Sequence, residues 1–175
     1  ETAAESVGLV YSKVFAYDSV GNRQTQTTAL GPAGSPGPNL QPGTVGYGYD
    51  TRDRLLTEQN GASPATTYGW DTNGNLTTKS GEATYTWNAE NRLTKVAKAD
   101  GTIVEYVYDA DGTRVRTRTT LPGHAPETVD HLVDTSGSLS HAVADVDSST
   151  ATPALRALYV RGDDLLSVMR PLVPA

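Results

Sequence analysis

Apolar and aromatic positions along this chain recur in steps of two. Phe15-Ala-Tyr17, Tyr47-Gly-Tyr49, Tyr68-Gly-Trp70, Tyr85-Thr-Trp87 and Tyr106-Val-Tyr108 each place two rings at i and i+2. That period sets both rings on one face of a β-strand. Each pair runs into Asp18, Asp50, Asp71, Asn88 or Asp109, then a short polar turn, then Arg23, Leu55, Leu76, Leu93 or Arg114. The second rings are separated by 32, 21, 17 and 21 residues, and ten of the twelve aromatics fall in these slots. The chain is a repeat array, and the repeat is a strand, a turn and a returning strand.

The turn chemistry is legible in each copy. An Asp or Asn bonds backbone amides two residues on, and a Gly or Asn later in the turn tolerates positive φ, so the chain reverses there. Between the repeats, Asn60-Gly61, Ser80-Gly81 and Asp100-Gly101 are hairpin signals flanked by Thr-, Val- or Tyr-rich runs. From Asp71 to Gly112 the turns come about every 9 to 11 residues, which predicts a β-meander with strands of about six residues. Residues 31–43 carry four Pro and four Gly and read as a loop, without the basic flanks of a proline-rich docking ligand. After the repeats, 128–134, 139–146 and 155–170 are the ordered candidates. In the last, Leu155, Leu158, Leu165, Leu166 and Met169 suggest helical spacing, but Gly162-Asp163 interrupts it and Tyr159-Val160 favours strand, which predicts a hairpin. The expected fold is all-β, an antiparallel ribbon with little or no helix. It is organised as a first repeat (1–30), a Pro/Gly loop (31–43), four repeats (44–120) and a post-repeat β segment (121–175).

These segments resemble the YD repeats of the Rhs family and related bacterial toxin-shell proteins. The resemblance is specific between Tyr47 and Arg118 and weaker at Phe15 to Arg23. Residues 128–170, in Leu132-Val133-Asp134, the Leu139 to Val146 run and Tyr159 to Leu166, look like the stretch that follows the repeats in many such proteins. The resemblance implies a β-ribbon that spirals, in full-length members, into a hollow shell around a toxic C-terminal domain. It implies a secreted or cell-surface location, and as partners the neighbouring repeats of a longer chain and an enclosed toxin domain. The family's Asp-rich, Pro-containing self-cleavage motif is not found before Ala175, so autoproteolysis is not carried over.

Composition agrees with the pattern. Thr (24), Val (16) and Tyr (9) outnumber the other strand-forming side chains, while 17 Gly and 10 Pro supply turns. Leu, Ile, Val and Phe total 33 of 175 residues, so the core has few aliphatics to draw on. With no Cys, disulfides, thiolate metal sites and a Cys nucleophile are excluded. A net charge of −6 gives no footprint for nucleic acid, and no stretch is apolar over the length a membrane-spanning helix needs.

Candidate chemistry is sparse. Asp71, Asn73 and Asn75 with Glu82 occupy positions 1, 3, 5 and 12 of a calcium-loop pattern, but Leu76 replaces the required Gly and Ser80-Gly81 would break the exiting helix. Asp109 and Asp111 fit less well, with Thr120 at position 12. His124, His131 and His141 are spaced by 7 and 10, matching neither a helical metal pair nor one short strand. The acidic pairs Asp163-Asp164 and Asp145-x-Asp147 read as turn residues rather than a glycosidase pair. Arg161-Gly162-Asp163 and Asn75-Leu76-Thr77 spell short motifs that turns and repeats already explain. No catalytic, metal or cofactor residue is assigned, and no cofactor is expected. The structural positions are Phe15, Tyr17, Asp18, Tyr47, Tyr49, Asp50, Tyr68, Trp70, Asp71, Tyr85, Trp87, Asn88, Tyr106, Tyr108 and Asp109.

Three roles compete. The first is a non-catalytic structural scaffold, part of a toxin-enclosing shell or a secreted surface protein. The second is an extracellular filament of identical copies, since an open sheet edge such as Val7 to Tyr11 recruits strands while Pro171 and Pro174 blunt the other end. The third is a carbohydrate-binding module stacking sugars on exposed Tyr and Trp. In a chain short of aliphatics, packing between strands outweighs stacking on sugars as the use of the rings.

Overall fold

A computed structural model describes residues 11–30, 42–137, 140–161 and 165–170. The segment 31–41, residues 7–10, Leu139, Gly162 to Asp164, Pro171 and Pro174 lie outside the described residues. Fourteen strands form one antiparallel meander, and no helix occurs among the described residues. They are β1 (Tyr11–Tyr17), β2 (Arg23–Leu30), β3 (Gly43–Tyr49), β4 (Leu55–Asn60), β5 (Thr66–Trp70), β6 (Leu76–Lys79) and β7 (Ala83–Trp87). The remainder are β8 (Leu93–Lys98), β9 (Ile103–Tyr108), β10 (Arg114–Thr120), β11 (Glu127–Asp134), β12 (His141–Asp147), β13 (Ala154–Arg161) and β14 (Leu165–Met169). Strand order follows chain order. The described residues hold strands and no helix because two-residue periodicity, β-branched residues and Gly turns all point the same way.

The chain divides into two compact units, Glu1–Gly69 with Thr78–Ser80, and Trp70–Thr77 with Gly81–Ala175. In the first, β1 pairs with β2, β2 with β3, β3 with β4 and β4 with β5. In the second, β7 to β14 pair successively. The post-repeat segment continues the meander, and the stretch with the ambiguous Leu spacing is the hairpin of β13 and β14.

The register slips at the same place in repeat after repeat. Irregularities fall between Ala16 and Tyr17, Gly48 and Tyr49, and Thr86 and Trp87, and between Arg114 and Arg116 on the strand facing Tyr108. Each sits beside a corner residue with positive φ, as a bulge closing a tight hairpin requires.

Little is buried. Among the described residues only Thr28 in the first unit, and Ala83, Thr102, Ala144 and Ala157 in the second, are buried, and no large side chain is fully so. Within each unit the described residues form a sheet and no second layer, so most of their apolar side chains are half-covered by cross-strand neighbours.

At Gly48 the approach of the next strand is tight. A Cβ built there would lie 2.5 Å from Thr57 Oγ1, on the residue paired with it across β3 and β4. Gly48→Ala is therefore expected to destabilise the protein by about 1 to 3 kcal/mol in urea unfolding. Adding Thr57→Ala, which removes the obstructing oxygen, should recover most of that loss. Equal stability of the single variant and the natural chain would show that Thr57 yields freely.

Candidate functional site

The repeated element is the corner, and it is built the same way five times. The first residue's main-chain N–H donates to the carbonyl of the residue four on: Asp18 to Asn22 (2.9 Å), Asp50 to Arg54 (2.9 Å), Asp71 to Asn75 (3.0 Å), Asn88 to Arg92 (3.0 Å) and Asp109 to Thr113 (3.0 Å). Its carbonyl accepts from the fourth residue of the turn at 3.1 to 3.2 Å. Its side-chain Oδ1 accepts two amides, from the third residue and the fifth. In the Asp71 turn these are Asn73 N–H at 2.9 Å and Asn75 N–H at 2.8 Å. The other four turns repeat both bonds at 2.8 to 3.1 Å. An acceptor that satisfies two amides at a chain reversal is what the Asp or Asn supplies, and Asn88 shows that an amide oxygen serves as well as a carboxylate.

The fourth residue lies in the left-handed region in every copy: Gly21 at φ 97°, Asp53 at 60°, Gly74 at 90°, Asn91 at 58° and Gly112 at 88°. Asp53 and Asn91 hold this conformation without being glycine, as short polar side chains do more readily than others.

The second ring of the repeat ties one strand to its neighbour. Tyr49 Oη donates to the Arg23 carbonyl at 3.0 Å, Trp87 Nε1 to the Leu76 carbonyl at 2.7 Å, and Tyr108 Oη to the Leu93 carbonyl at 2.7 Å. All three acceptors open the returning strand of the preceding repeat, next to the bulge, where ladder bonding is interrupted. Several first rings lie beside cations: Arg23 sits 4.2 Å from the Tyr47 ring centre and 5.9 Å from that of Phe15, and Arg114 sits 5.2 Å from that of Tyr106. Lys79 lies 6.0 Å from the Tyr68 ring centre. Tyr47, Tyr49, Tyr68, Trp70, Tyr85, Trp87, Tyr106 and Tyr108 are half-buried, whereas Phe15 and Tyr17 are exposed.

Asp71, Asn73 and Asn75 of the calcium-like set are engaged in hydrogen bonds within their corner and to the next. Asp71 Oδ1 takes the two amides, Asp71 Oδ2 takes Asn75 Nδ2 at 2.9 Å, and Asn73 Nδ2 donates to Asn91 Oδ1 at 2.9 Å. Among the described residues no three His, Asp or Glu side chains converge as a metal site.

Beyond the repeats, sequence spacing missed a transverse array. Thr117 Oγ1 lies 2.9 Å from His131 Nε2, His131 Nδ1 lies 2.7 Å from Asp145 Oδ1, and Tyr159 Oη donates to Asp145 Oδ2 at 2.7 Å. The four residues come from β10, β11, β12 and β13 in succession. Asp145 is thus a mid-strand residue with two side-chain partners and not a solvated turn residue. Burial opposes its ionised form, but the bonds from His131 and Tyr159 prevail and hold its pKa below the ordinary value. The signal was unavailable in the sequence because 14 residues separate each partner from the next.

The RHS repeat family model matches residues 70–103 and 87–125, which span the third, fourth and fifth corners. Residues 70–125 of the chain are RHS repeats. The tRNA3(Ser)-specific nuclease WapA of Bacillus spizizenii and the tRNA nuclease WapA of Bacillus subtilis are each 35% identical to it over 104 residues. The match takes in 58% of this chain and 4% of each relative, so the chain spans a small part of their length. Among solved structures, a crystal structure of TcdB2-TccC3 matches with a TM-score of 0.59 and 17% identity over 78% of this chain and 8% of the other. A second, of TcdB2-TccC3-TEV, gives 0.61 and 16% over 83% and 8%. At these identities the structural likeness shows the fold.

Two outcomes follow for the RHS corner. Asp71 is held below its ordinary pKa by the Asn75 side chain first and the Asn75, Asn73 and Gly74 amides besides, and Asp50 likewise by the Arg54 amide and guanidinium. Their folded pKa values are depressed, so their stabilisation is complete above the unfolded value near 4 and is lost as pH falls through the lower folded value. Asp71→Asn should keep the two amide bonds of the corner, as Asn88 does, at the loss of the Asn75 side-chain bond, and should shrink the loss of Tm between about pH 5 and pH 2, whereas Asp71→Ala should lower Tm further at neutral pH. An unchanged acid limb in Asp71→Asn would remove Asp71 from that dependence. Separately, Tyr108→Phe keeps the ring and deletes the bond to Leu93, with an expected cost of about 1 kcal/mol in urea unfolding; no loss would mean the carbonyl finds water equally well.

Proposed function

We propose that this chain is a non-catalytic structural strip, a segment of the wall of an RHS-type shell that encloses a toxin, in a secreted or cell-surface protein. The observation that carries the reading is the five corners of common hydrogen bonding along a sheet whose described residues bury no large side chain. Such a strip is stabilised locally, repeat by repeat, and leaves both faces to be covered by something else. Its partners are then neighbouring repeats and the domain enclosed. The nuclease activity named for the two Bacillus relatives belongs to proteins of which the matched stretch is 4%, and the proposed role of this chain is the repeat part.

The carbohydrate reading is disfavoured by how the rings are used. An open hollow of about 390 Å³ is lined by Asn88, Glu90, Arg92, Tyr106, Tyr108 and Asp109 among others, a composition that suits a sugar. Yet Arg92 lies 5.9 Å from the Tyr108 ring centre and Arg114 5.2 Å from that of Tyr106, so cations cover the rings a sugar would stack on.

The test uses the native polypeptide from its source. Its mass should be many times 18.5 kDa, and limited proteolysis of the folded protein should spare a domain beyond the repeats that becomes cleavable once Asp71→Ala and Asp50→Ala together loosen the corners. A mature 18.5 kDa chain found in polymers would overturn the shell in favour of a filament. Equal cleavage of that domain with and without the substitutions would remove the enclosing role.

A further inference from the structure

We infer that, within each compact unit, the fourth and fifth positions of neighbouring corners form a pairing code by which one repeat recognises the next, so that the corner edge is a selective interface and not a row of interchangeable turns. The inference rests on two kinds of joint. In the first, the fifth residue is Asn and the fourth residue of the next corner is Asp or Asn. Asn22 Nδ2 donates to Asp18 Oδ2 of its own corner at 3.1 Å and to Asp53 Oδ1 of the next at 2.8 Å. Asn75 Nδ2 does the same, to Asp71 Oδ2 at 2.9 Å and Asn91 Oδ1 at 2.8 Å. Both amide hydrogens are consumed, one inside the corner and one across the joint.

In the second kind the fifth residue is Arg and the following fourth residue is Gly. The Arg92 guanidinium lies where a side chain on Gly112 would stand: a Cβ built there would be 2.4 Å from Arg92 Nη2 and 2.5 Å from Cζ. Either choice alone is a mismatch with the other type. An Arg in place of Asn75, held as Arg92 is, would occupy the space of the Asn91 side chain, and an Asn facing Gly112 would find no acceptor. Arg54 and Gly74 have the residue types of the second kind, but Arg54 holds its own Asp50 at 2.7 Å and a Cβ on Gly74 would meet nothing within 4 Å, so the Arg seat is seen at Gly112 alone. The two non-glycine residues in the left-handed region are accordingly explained: Asp53 and Asn91 are at those positions for the oxygen they present to the preceding corner.

A double-mutant cycle on the full chain decides the matter. Gly112→Asn alone should lower Tm, because the new side chain must displace the Arg92 guanidinium and because φ of 88° strains a non-glycine residue, and only the first of these losses can be relieved by changing Arg92. Arg92→Asn alone should also lower it, since the guanidinium seat on Gly112 is left empty. Combined, R92N and G112N recreate the joint seen between Asn75 and Asn91, and Tm of the double variant should lie above that of G112N, the strain of a non-glycine residue at φ 88° being all that remains. If G112N does not fold and the double variant does, that is the same rescue in stronger form. The reverse conversion, Asn75→Arg with Asn91→Gly, provides an independent cycle in which N75R alone is the damaging member and N91G restores it. Additive losses in both cycles would overturn the code and leave the corners as independent turns.

Discussion

Everything regular in this protein depends on one acceptor, the side-chain oxygen that takes two amides where each repeat reverses. A reversing backbone exposes N–H groups that neither strand can satisfy, and with so few of the described residues buried there is little apolar burial to offset leaving them unmet. Oδ1 of Asp18, Asp50, Asp71, Asn88 or Asp109 meets the third and fifth amides together. Fixing both also fixes the fourth residue in the left-handed region and inserts the bulge that follows. The bulge in turn decides which face the second ring takes, because a one-residue slip would send every later side chain to the opposite side.

From that corner the rest is assembled by contact with the next strand. The bulge breaks the ladder, and the carbonyl at the start of the returning strand is where the next repeat's Tyr49, Trp87 or Tyr108 donates. Repeats are therefore joined by directed bonds as well as by ring burial, which suits a sheet whose buried residues are Ala and Thr. Trp and Tyr are the aromatics that can do this, having both a flat apolar body and a donor at the far edge. Phe in the second slot would keep the packing and forfeit the tie, and the single Phe of the chain, Phe15, stands in the first slot.

How much of this a reader of the sequence could see follows from the range of each interaction. The corners span five residues, so Asp71-Thr-Asn-Gly-Asn75 announces its own hydrogen bonds, and ring pairs two apart announce a strand face. The hairpin of β13 and β14 was legible because Gly162 and Asp163 punctuate a run whose Leu spacing alone suggested a helix. The ties across strands were not legible. Nothing in Trp87 points to Leu76, or in Arg23 to the two rings it lies between, until the register is known. His131 illustrates the limit well: its neighbour in sequence, Asp130, turns to the other face and pairs with Arg116, while its partner Asp145 lies one strand away.

The post-repeat strands show what becomes of the meander when the corner motif ends. From β10 onward no ring pair recurs, and polar side chains take over the cross-strand ties in two ways. Arg116 grips Asp130 with two hydrogen bonds, which holds the Asp130 carboxyl below its usual pKa. On the other side, Thr117, His131, Asp145 and Tyr159 form a continuous line across four strands. The carboxylate of Asp145 accepts at both oxygens, so His131 presents its Nδ1 proton to it and leaves Nε2 to the Thr117 hydroxyl, which can turn either way. The Asp145 bond raises the Tyr159 pKa, keeping that phenol in the protonated form that donates. Such a line is worth little unless every member is satisfied, since one missing partner leaves a half-buried polar group stranded. The repeats tolerate variation between Asp and Asn, or Tyr and Trp, because each corner is closed within itself. The post-repeat array has no such freedom, and its selectivity lies in the need for all four residues at once.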